Sequence, residues 1–253
     1  MKFEELDAKM RVYEESLDQC IVPGMYLIVR IDGRGFSHLT NDVCKFDRPF
    51  DERFSELMGD TVKHLMQCGF KVIYGYTQSD EISLLFAPDE NAFSRKTRKF
   101  NSVLAGEASG LFSVKLGRPV AFDCRVIPLP SRELVLDYFM WRQEDAVRNA
   151  LNGYVYWTLR KNGYSARKAG TVTKGKDAQW KNEFLLENGI DFGALPLWQL
   201  RGTGFYFETY AKQAVNKKTG ENVEAIRRRI KADRELPSWQ DYREYINKIL
   251  NAN

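Results

Sequence analysis

The sequence predicts an α+β fold: a ferredoxin-like β-α-β-β-α-β core followed by an additional helical and mixed region. Three observations carry this expectation. Four compact apolar runs, at residues 25–31, 70–76, 82–86 and 120–127, read as strands. Two stretches of helical periodicity separate them, one after the first run and one after the third. Pro128 and Pro130 then close the pattern, and a long helical stretch begins.

Taken in order, the run at 25–31 is short, β-branched and apolar. Pro49 and Asp51 open the first helix, in which Phe54, Leu57, Met58, Val62, Leu65 and Met66 recur at helical spacing before Gly69 closes it. The strands at 70–76 and 82–86 flank a turn at 77–80. A second helix is predicted at about 92–114, and the fourth strand follows it. Residues 131–161 predict a long helix, 205–210 a strand, 221–231 a basic helix and 239–250 a terminal helix. The expected organisation is a catalytic core at 1–128 and a helical and mixed region at 129–253 that completes the substrate sites.

Composition narrows the function classes. The 253 residues are 43% hydrophobic, enough for a sizeable core. No run approaches the roughly 18 uninterrupted apolar residues of a membrane span, and residues 1–16 are of mixed charge without the apolar centre of a secretory signal. A cytoplasmic protein with no membrane partner is expected. Cys20, Cys44, Cys68 and Cys124 form no CxxC pair, which argues for reduced thiols. His38 and His64 are the only imidazoles, and no GxSxG elbow accompanies them, so a histidine-rich metal site and a serine triad are both disfavoured. Net charge is +4, but the basic residues cluster at 95–99, 167–176 and 227–231. Such clusters suit a polyanion.

Topology singles out two carboxylates. In a ferredoxin-like sheet the first and third strands are central, adjacent and antiparallel. Asp32 ends the first strand and Asp80 precedes the third, so the two are expected to meet at one sheet edge. Paired carboxylates repel, and a hard divalent cation such as Mg2+ relieves the repulsion. Two such ions would activate an attacking hydroxyl and stabilise a leaving pyrophosphate. The Gly33 carbonyl is a further candidate ligand. Glu81 adjoins Asp80, and alternation is expected to point it the other way, in a supporting role. Arg30 shares Asp32's face, Arg34 follows Gly33, and Lys96 and Lys99 lie one helical turn apart. These cations are expected to hold a triphosphate near the metals.

The motifs RIDGRGF at 30–36, YTQSDE at 76–81, WRQ at 141–143 and KNE at 181–183 resemble the tRNA-His guanylyltransferase superfamily. The likeness runs in order from about residue 10 to residue 210. It implies a polymerase-like palm that adds nucleotides to the 5′ end of tRNA in the 3′-to-5′ direction, with ATP and GTP or other nucleoside triphosphates as substrates. The resemblance assigns the two Mg2+ ions to Asp32, the Gly33 carbonyl and Asp80. It assigns triphosphate contacts to Arg30, Lys96 and Lys99, and places Arg34, Gly35, Phe36 and Ser79 at the nucleotide. Lys181 and Asn182 match a motif important for activity. A homotetramer is also implied. The eukaryotic enzymes carry His-Ile-Asn-Asn where this chain has Val147, Arg148, Asn149 and Ala150, and a histidine after the phenylalanine where it has Ser37 before His38. In this the chain is more similar to the bacterial and archaeal guanylyltransferase-like branch, which favours template-directed repair of tRNA 5′ ends.

Template pairing lets Watson–Crick geometry choose the incoming base, leaving the protein to grip phosphate. Arg148, Arg167, Lys168, Lys174, Arg227 and Arg228 are the candidate tRNA contacts. Tyr154, Tyr156 and Trp157 are candidates for either base stacking or core packing. Three alternatives stay open: a dedicated tRNA-His guanylyltransferase, a palm-type nucleotide cyclase, and a non-catalytic RNA-binding module. The missing GG[DE]EF turn disfavours the cyclase, and the missing RNP1 aromatics disfavour the RNA-binding module.

Overall fold

A computed structural model of the protein describes residues 2–215 and 222–252. Its N-terminal half runs α1 (Phe3–Glu14), β1 (Tyr26–Gly33), α2 (Phe36–His38), α3 (Glu52–Leu65), β2 (Val72–Gln78), β3 (Glu81–Phe86), α4 (Thr97–Leu116) and β4 (Phe122–Leu129). The chain continues through α5 (Arg132–Lys161), α6 (Ala166–Gly175), α7 (Ala178–Glu187), α8 (Leu197–Arg201), β5 (Thr203–Val215), β6 (Asn222–Asp233) and α9 (Trp239–Asn251). The six strands form one sheet in the order β4-β1-β3-β2-β5-β6, with antiparallel neighbours throughout. The first four strands take the predicted ferredoxin-like arrangement, and β5 and β6 extend the same sheet. The expected division at 128/129 falls within β4 and does not divide the sheet.

Period-two alternation gives the sheet two apolar faces. Leu27, Val29 and Ile31 of β1 join Met58, Val62 and Leu65 of α3 and Leu104, Ala108 and Phe112 of α4 in one core. Ile28 and Tyr74 join Val135 and Phe139 of α5 and Tyr242 and Ile246 of α9 in the other. The second half of α5 runs on into a third cluster, where Leu151, Val155 and Leu159 pack against Ala169 of α6 and Leu185 of α7. One 30-residue helix thus ties the sheet to the helical region. Among the described residues no helix is long and apolar enough to cross a membrane.

Two expectations need correction. Residues 222–231 are strand, not helix: β6 pairs with β5 from Gly204–Asp233 to Val215–Asn222. Glu221 lies outside the described residues. Ion pairs from Glu208 to Arg229 and Lys231, and the Arg228 guanidinium 3.8 Å from the Phe207 ring centroid, hold the two strands together. These partners are remote in sequence, so local pattern does not reveal them. The helix expected at 92–114 is interrupted, because Phe93, Ser94 and Arg95 adopt positive φ; the regular helix starts at Thr97 with Lys96 as its cap.

Asp51 caps α3 by accepting from the backbone N–H groups of Arg53 and Phe54, and its side chain also pairs with Arg53. The Arg53 side chain first, outweighing the cost of burial and assisted by backbone donors, holds its carboxyl near 2 instead of 3.8. Asp51→Ala should cost ~1–2 kcal/mol of stability at neutral pH. Because the folded pKa lies below the unfolded one, this contribution is complete above about pH 4 and is lost as pH falls through about 2. Denaturant titrations of both forms at pH 7 and pH 2.5 check the loss and its convergence.

Candidate active site

β1 delivers Asp32 and Gly33 to the sheet edge, where Asp32 pairs in register with Glu81 of β3. Gln78 pairs with Glu81, so Ser79 and Asp80 form a two-residue hairpin turn. Ser79 takes the left-handed φ of 54° that such a turn requires. The Gly33 N–H donates to the Asp80 carbonyl at 3.1 Å, which pins the turn to the end of β1. Asp32 and Asp80 are therefore brought together at one edge. Gly33 has room for no side chain, since a Cβ there would meet the Phe36 ring at 2.5 Å. Phe36 itself is core, packed on Phe112 and Phe122, and Gly35 turns the chain into α2 with φ 72°.

The charges around this edge are unevenly compensated. Among the described residues neither Asp32 nor Asp80 has a cationic side chain within ion-pair distance; Asp80 Oδ1 accepts from Ser79 Oγ at 3.1 Å. Burial first, and the Asp32 charge second, push the Asp80 carboxyl above its ordinary value. Glu81 differs from expectation. Asp80 belongs to the turn, so alternation does not set its direction, and Glu81 shares Asp32's face as its cross-strand partner. Its carboxylate is bound by Arg142 at 2.7 and 2.9 Å, and Arg30 Nε lies 3.3 Å away. Arg30 is thus on Asp32's face as expected, with its buried Nε lacking a hydrogen-bond partner among the described residues. Two acceptor-only carboxylates without a counter-cation, one of them disfavoured as an anion by burial, fit a hard divalent cation.

Two clefts flank the edge. One encloses about 690 Å³ including its mouth, a size that suits a small ligand, and is lined by Phe46, Arg48, Phe50, Asp51, Trp198 and the 77–80 turn. Arg48 is half-buried with Nη2 unpartnered among the described residues, and its guanidinium sits 5.3 Å from the Trp157 ring centroid. Phe36 and Ser79, which the resemblance places at the nucleotide, also line this cleft, whereas Phe46, Arg48, Phe50 and Trp198 carry no such assignment; the aromatic spacing of Phe46, Phe50 and Phe54 around Pro49 is their visible signal in the sequence. The other cleft, about 870 Å³ including its mouth, is lined by Asp32, Asp80, Glu81, Arg142, Asp145 and Trp157. Tyr154 packs on Phe50 and Phe192, as core, while Trp157 faces this cleft.

The remaining candidates are dispersed. Arg34 is exposed beside the edge. Lys181 Nζ donates to Asn152 Oδ1 at 2.8 Å in a third cleft that also holds Tyr156 and Lys174, and Gly153 borders both this cleft and the carboxylate cleft. Asn182 Nδ2 is turned to its own helix, donating to the Ala178 carbonyl at 2.8 Å. Arg148, Arg167, Lys168 and Lys174 are exposed on α5 and α6, and Arg227 and Arg228 on β6. Lys96 and Lys99 are not at the edge. β3 begins at the carboxylates and ends at the far side of the sheet, so α4 starts there: Lys96 bridges to Cys20, and the neighbouring Arg95 donates to the Met25 carbonyl before β1. Lys96 Nζ is paired with Asp18 at 2.6 Å, and Lys99 Nζ lies 5.6 Å from the Phe93 ring centroid.

The tRNAHis guanylyltransferase family model matches residues 7–130, and the model for the Thg1 C terminal domain matches residues 133–245. A probable tRNA(His) guanylyltransferase of Drosophila melanogaster is 31% identical over 196 residues, 74% of this chain and 68% of the relative. The tRNA(His) guanylyltransferase of Debaryomyces hansenii is 33% identical over 185 residues, 68% of this chain and 69% of the relative. A solved bacterial tRNA(His) guanylyltransferase-like protein in complex with ATP has a TM-score of 0.76 at 28% identity, covering 97% of this chain and 98% of its own. A second such structure, in complex with GTP, has a TM-score of 0.72 at the same identity, covering 97% and 99%.

Since the fold raises the Asp80 pKa, ionisation favours the unfolded chain at every pH above its ordinary 3.8. Asp80→Asn should therefore raise the melting temperature of the metal-free protein at pH 7 by about 2 °C or more. The gain should fade as pH falls below about 4. Thermal melts of the two proteins across that range check both the sign and the window.

Proposed function

The chain belongs to the tRNAHis guanylyltransferase family, and on that premise we propose that it is a nucleotidyltransferase adding nucleotides to the 5′ end of tRNA in the 3′-to-5′ direction, using the opposite strand of the acceptor stem as template. The observation that supports it most is the meeting of Asp32 and Asp80, without counter-cations among the described residues, between two clefts.

In this reading the 3′-hydroxyl of an incoming nucleoside triphosphate attacks the 5′ phosphate of a tRNA already activated as a triphosphate or an adenylate. A phosphodiester forms, the hydroxyl proton passes to solvent, and pyrophosphate or AMP leaves. Asp32, Asp80 and the Gly33 carbonyl would hold two Mg2+ ions, which supply Lewis-acid activation of the hydroxyl and charge neutralisation at the leaving group. The aromatic cleft takes one base, with Arg48 and Arg34 near its phosphates; ATP and GTP, bound by the solved relatives, are its substrates. Arg30, drawn toward Glu81, adds positive charge beside Asp32. Lys174 and Lys181, with Arg148, Arg167, Lys168, Arg227 and Arg228, receive RNA phosphates. Lys96 and Lys99 are no part of this site within one chain. A core at 1–128, a substrate-completing region at 129–253, a homotetramer and the cytoplasm belong to the same reading.

A second reading, addition of an extra 5′ guanosine to tRNA-His, is favoured by the names of the relatives. Residues 147–150, which differ from the eukaryotic His-Ile-Asn-Asn, weigh toward repair. Incubation with Mg2+, labelled GTP and a tRNA lacking its first nucleotide should give extension, falling by roughly 10³-fold or more in Asp32→Ala and Asp80→Ala. Preference for full-length tRNA-His would favour the second reading, and Mg2+-independent extension would exclude both. Separately, Arg227→Ala should weaken tRNA binding at low salt and flatten the log–log salt dependence by about one, as read by filter binding at several ionic strengths.

A further inference from the structure

Glu81 stands directly across the β1–β3 ladder from Asp32 and on the same face, so a third carboxylate lies within reach of the Asp32–Asp80 edge. It does not join the pair. Its two oxygens accept from Arg142 Nε at 2.7 Å and Nη2 at 2.9 Å. Among the described residues no three His, Cys, Asp or Glu side chains converge as a metal site. Arg142 is itself held in place. Its side chain is only 9% exposed, Nη2 also donates to Asp145 Oδ2 at 2.9 Å, and the guanidinium lies 4.6 Å from the Trp141 ring centroid. The arginine comes from α5, in the layer packed on the sheet, and reaches a carboxylate that its own strand would otherwise leave facing the acidic edge.

We propose that Arg142 is a positioning residue that keeps Glu81 out of the cation shell of Asp32 and Asp80. The inference rests on the metal reading of those two aspartates. A fork-to-fork pair fixes both Glu81 oxygens at once, which a single-point cation does not do. With Glu81 so engaged, the cation keeps positions open for substrate oxygens. Without Arg142, Glu81 is free to turn toward the edge and supply a third carboxylate. The cation would then bind more tightly, in a shell that competes with triphosphate.

The test is a Mn2+ titration followed by the electron-paramagnetic-resonance signal of free Mn2+, on the wild type, Glu81→Gln, Arg142→Met and the double variant. Arg142→Met should tighten Mn2+ binding roughly tenfold, the lower end for outer-shell changes. Glu81→Gln alone should change affinity by about twofold at most, and in the Arg142→Met background it should remove the gain. A merely structural arginine would weaken binding when lost. Simple loss of charge would give the same Glu81→Gln effect in both backgrounds, and either result overturns the proposal. Asp32→Asn distinguishes the two ideas. Undiminished Mn2+ binding in that variant sinks the metal reading itself, whereas lost binding together with an additive cycle sinks only the role of Arg142. If thermal melting shows that Arg142→Met does not fold, Arg142→Gln carries the same comparison.

Discussion

The register of β1 against β3 is the constraint on which the site depends. With Asp32 opposite Glu81 and the Ser79–Asp80 turn closing immediately beyond, two acidic groups meet that the chain order keeps far apart. A slip of one residue would turn Asp32 into the apolar layer beneath α3 and α4 and put Ile31 at the acidic cleft. Ile28, Val29, Ile31, Leu84 and Leu85 are all fully buried, on alternating faces, so both cores oppose such a slip. The stability of the two layers is thus also what positions the carboxylates.

That position is unfavourable for the carboxylates themselves. Asp80 is partly buried beside another negative charge, which the fold tolerates because its strands are held elsewhere. Glu81 occupies the same neighbourhood, and burial also pushes its carboxyl above the ordinary value, but arginines from two layers offset part of that cost. Adjacent acids in sequence therefore differ in their partners: Glu81 is paired with arginine, and Asp80 has no cationic partner among the described residues.

α5 connects this edge to the rest of the protein. Its first half buries Val135 and Phe139 against the sheet, its middle supplies Arg142 and Asp145 to the cleft, and its last turns anchor the basic α6. One helix thus runs from the acidic cleft to the packing that anchors α6, which carries Arg167, Lys168 and Lys174. Pro128, inside β4, itself pairs with Leu27, so the sheet passes directly into α5 through only the two residues after Leu129.

The β-α-β-β-α-β core, the long helix after it and the convergence of Asp32 with Asp80 are legible from the chain alone. Alternation, helical spacing and the antiparallel topology are local rules that a single chain displays. That β6 is a strand came from packing, because its partner β5 satisfies its backbone along the ladder. Packing likewise turned Glu81 toward Arg142, formed the aromatic cleft from Phe46, Phe50 and Trp198, and carried Lys96 and Lys99 to the opposite end of the sheet. Each of these depends on which distant side chain or strand end arrives nearby, and residue types and spacing along one segment do not encode that arrival.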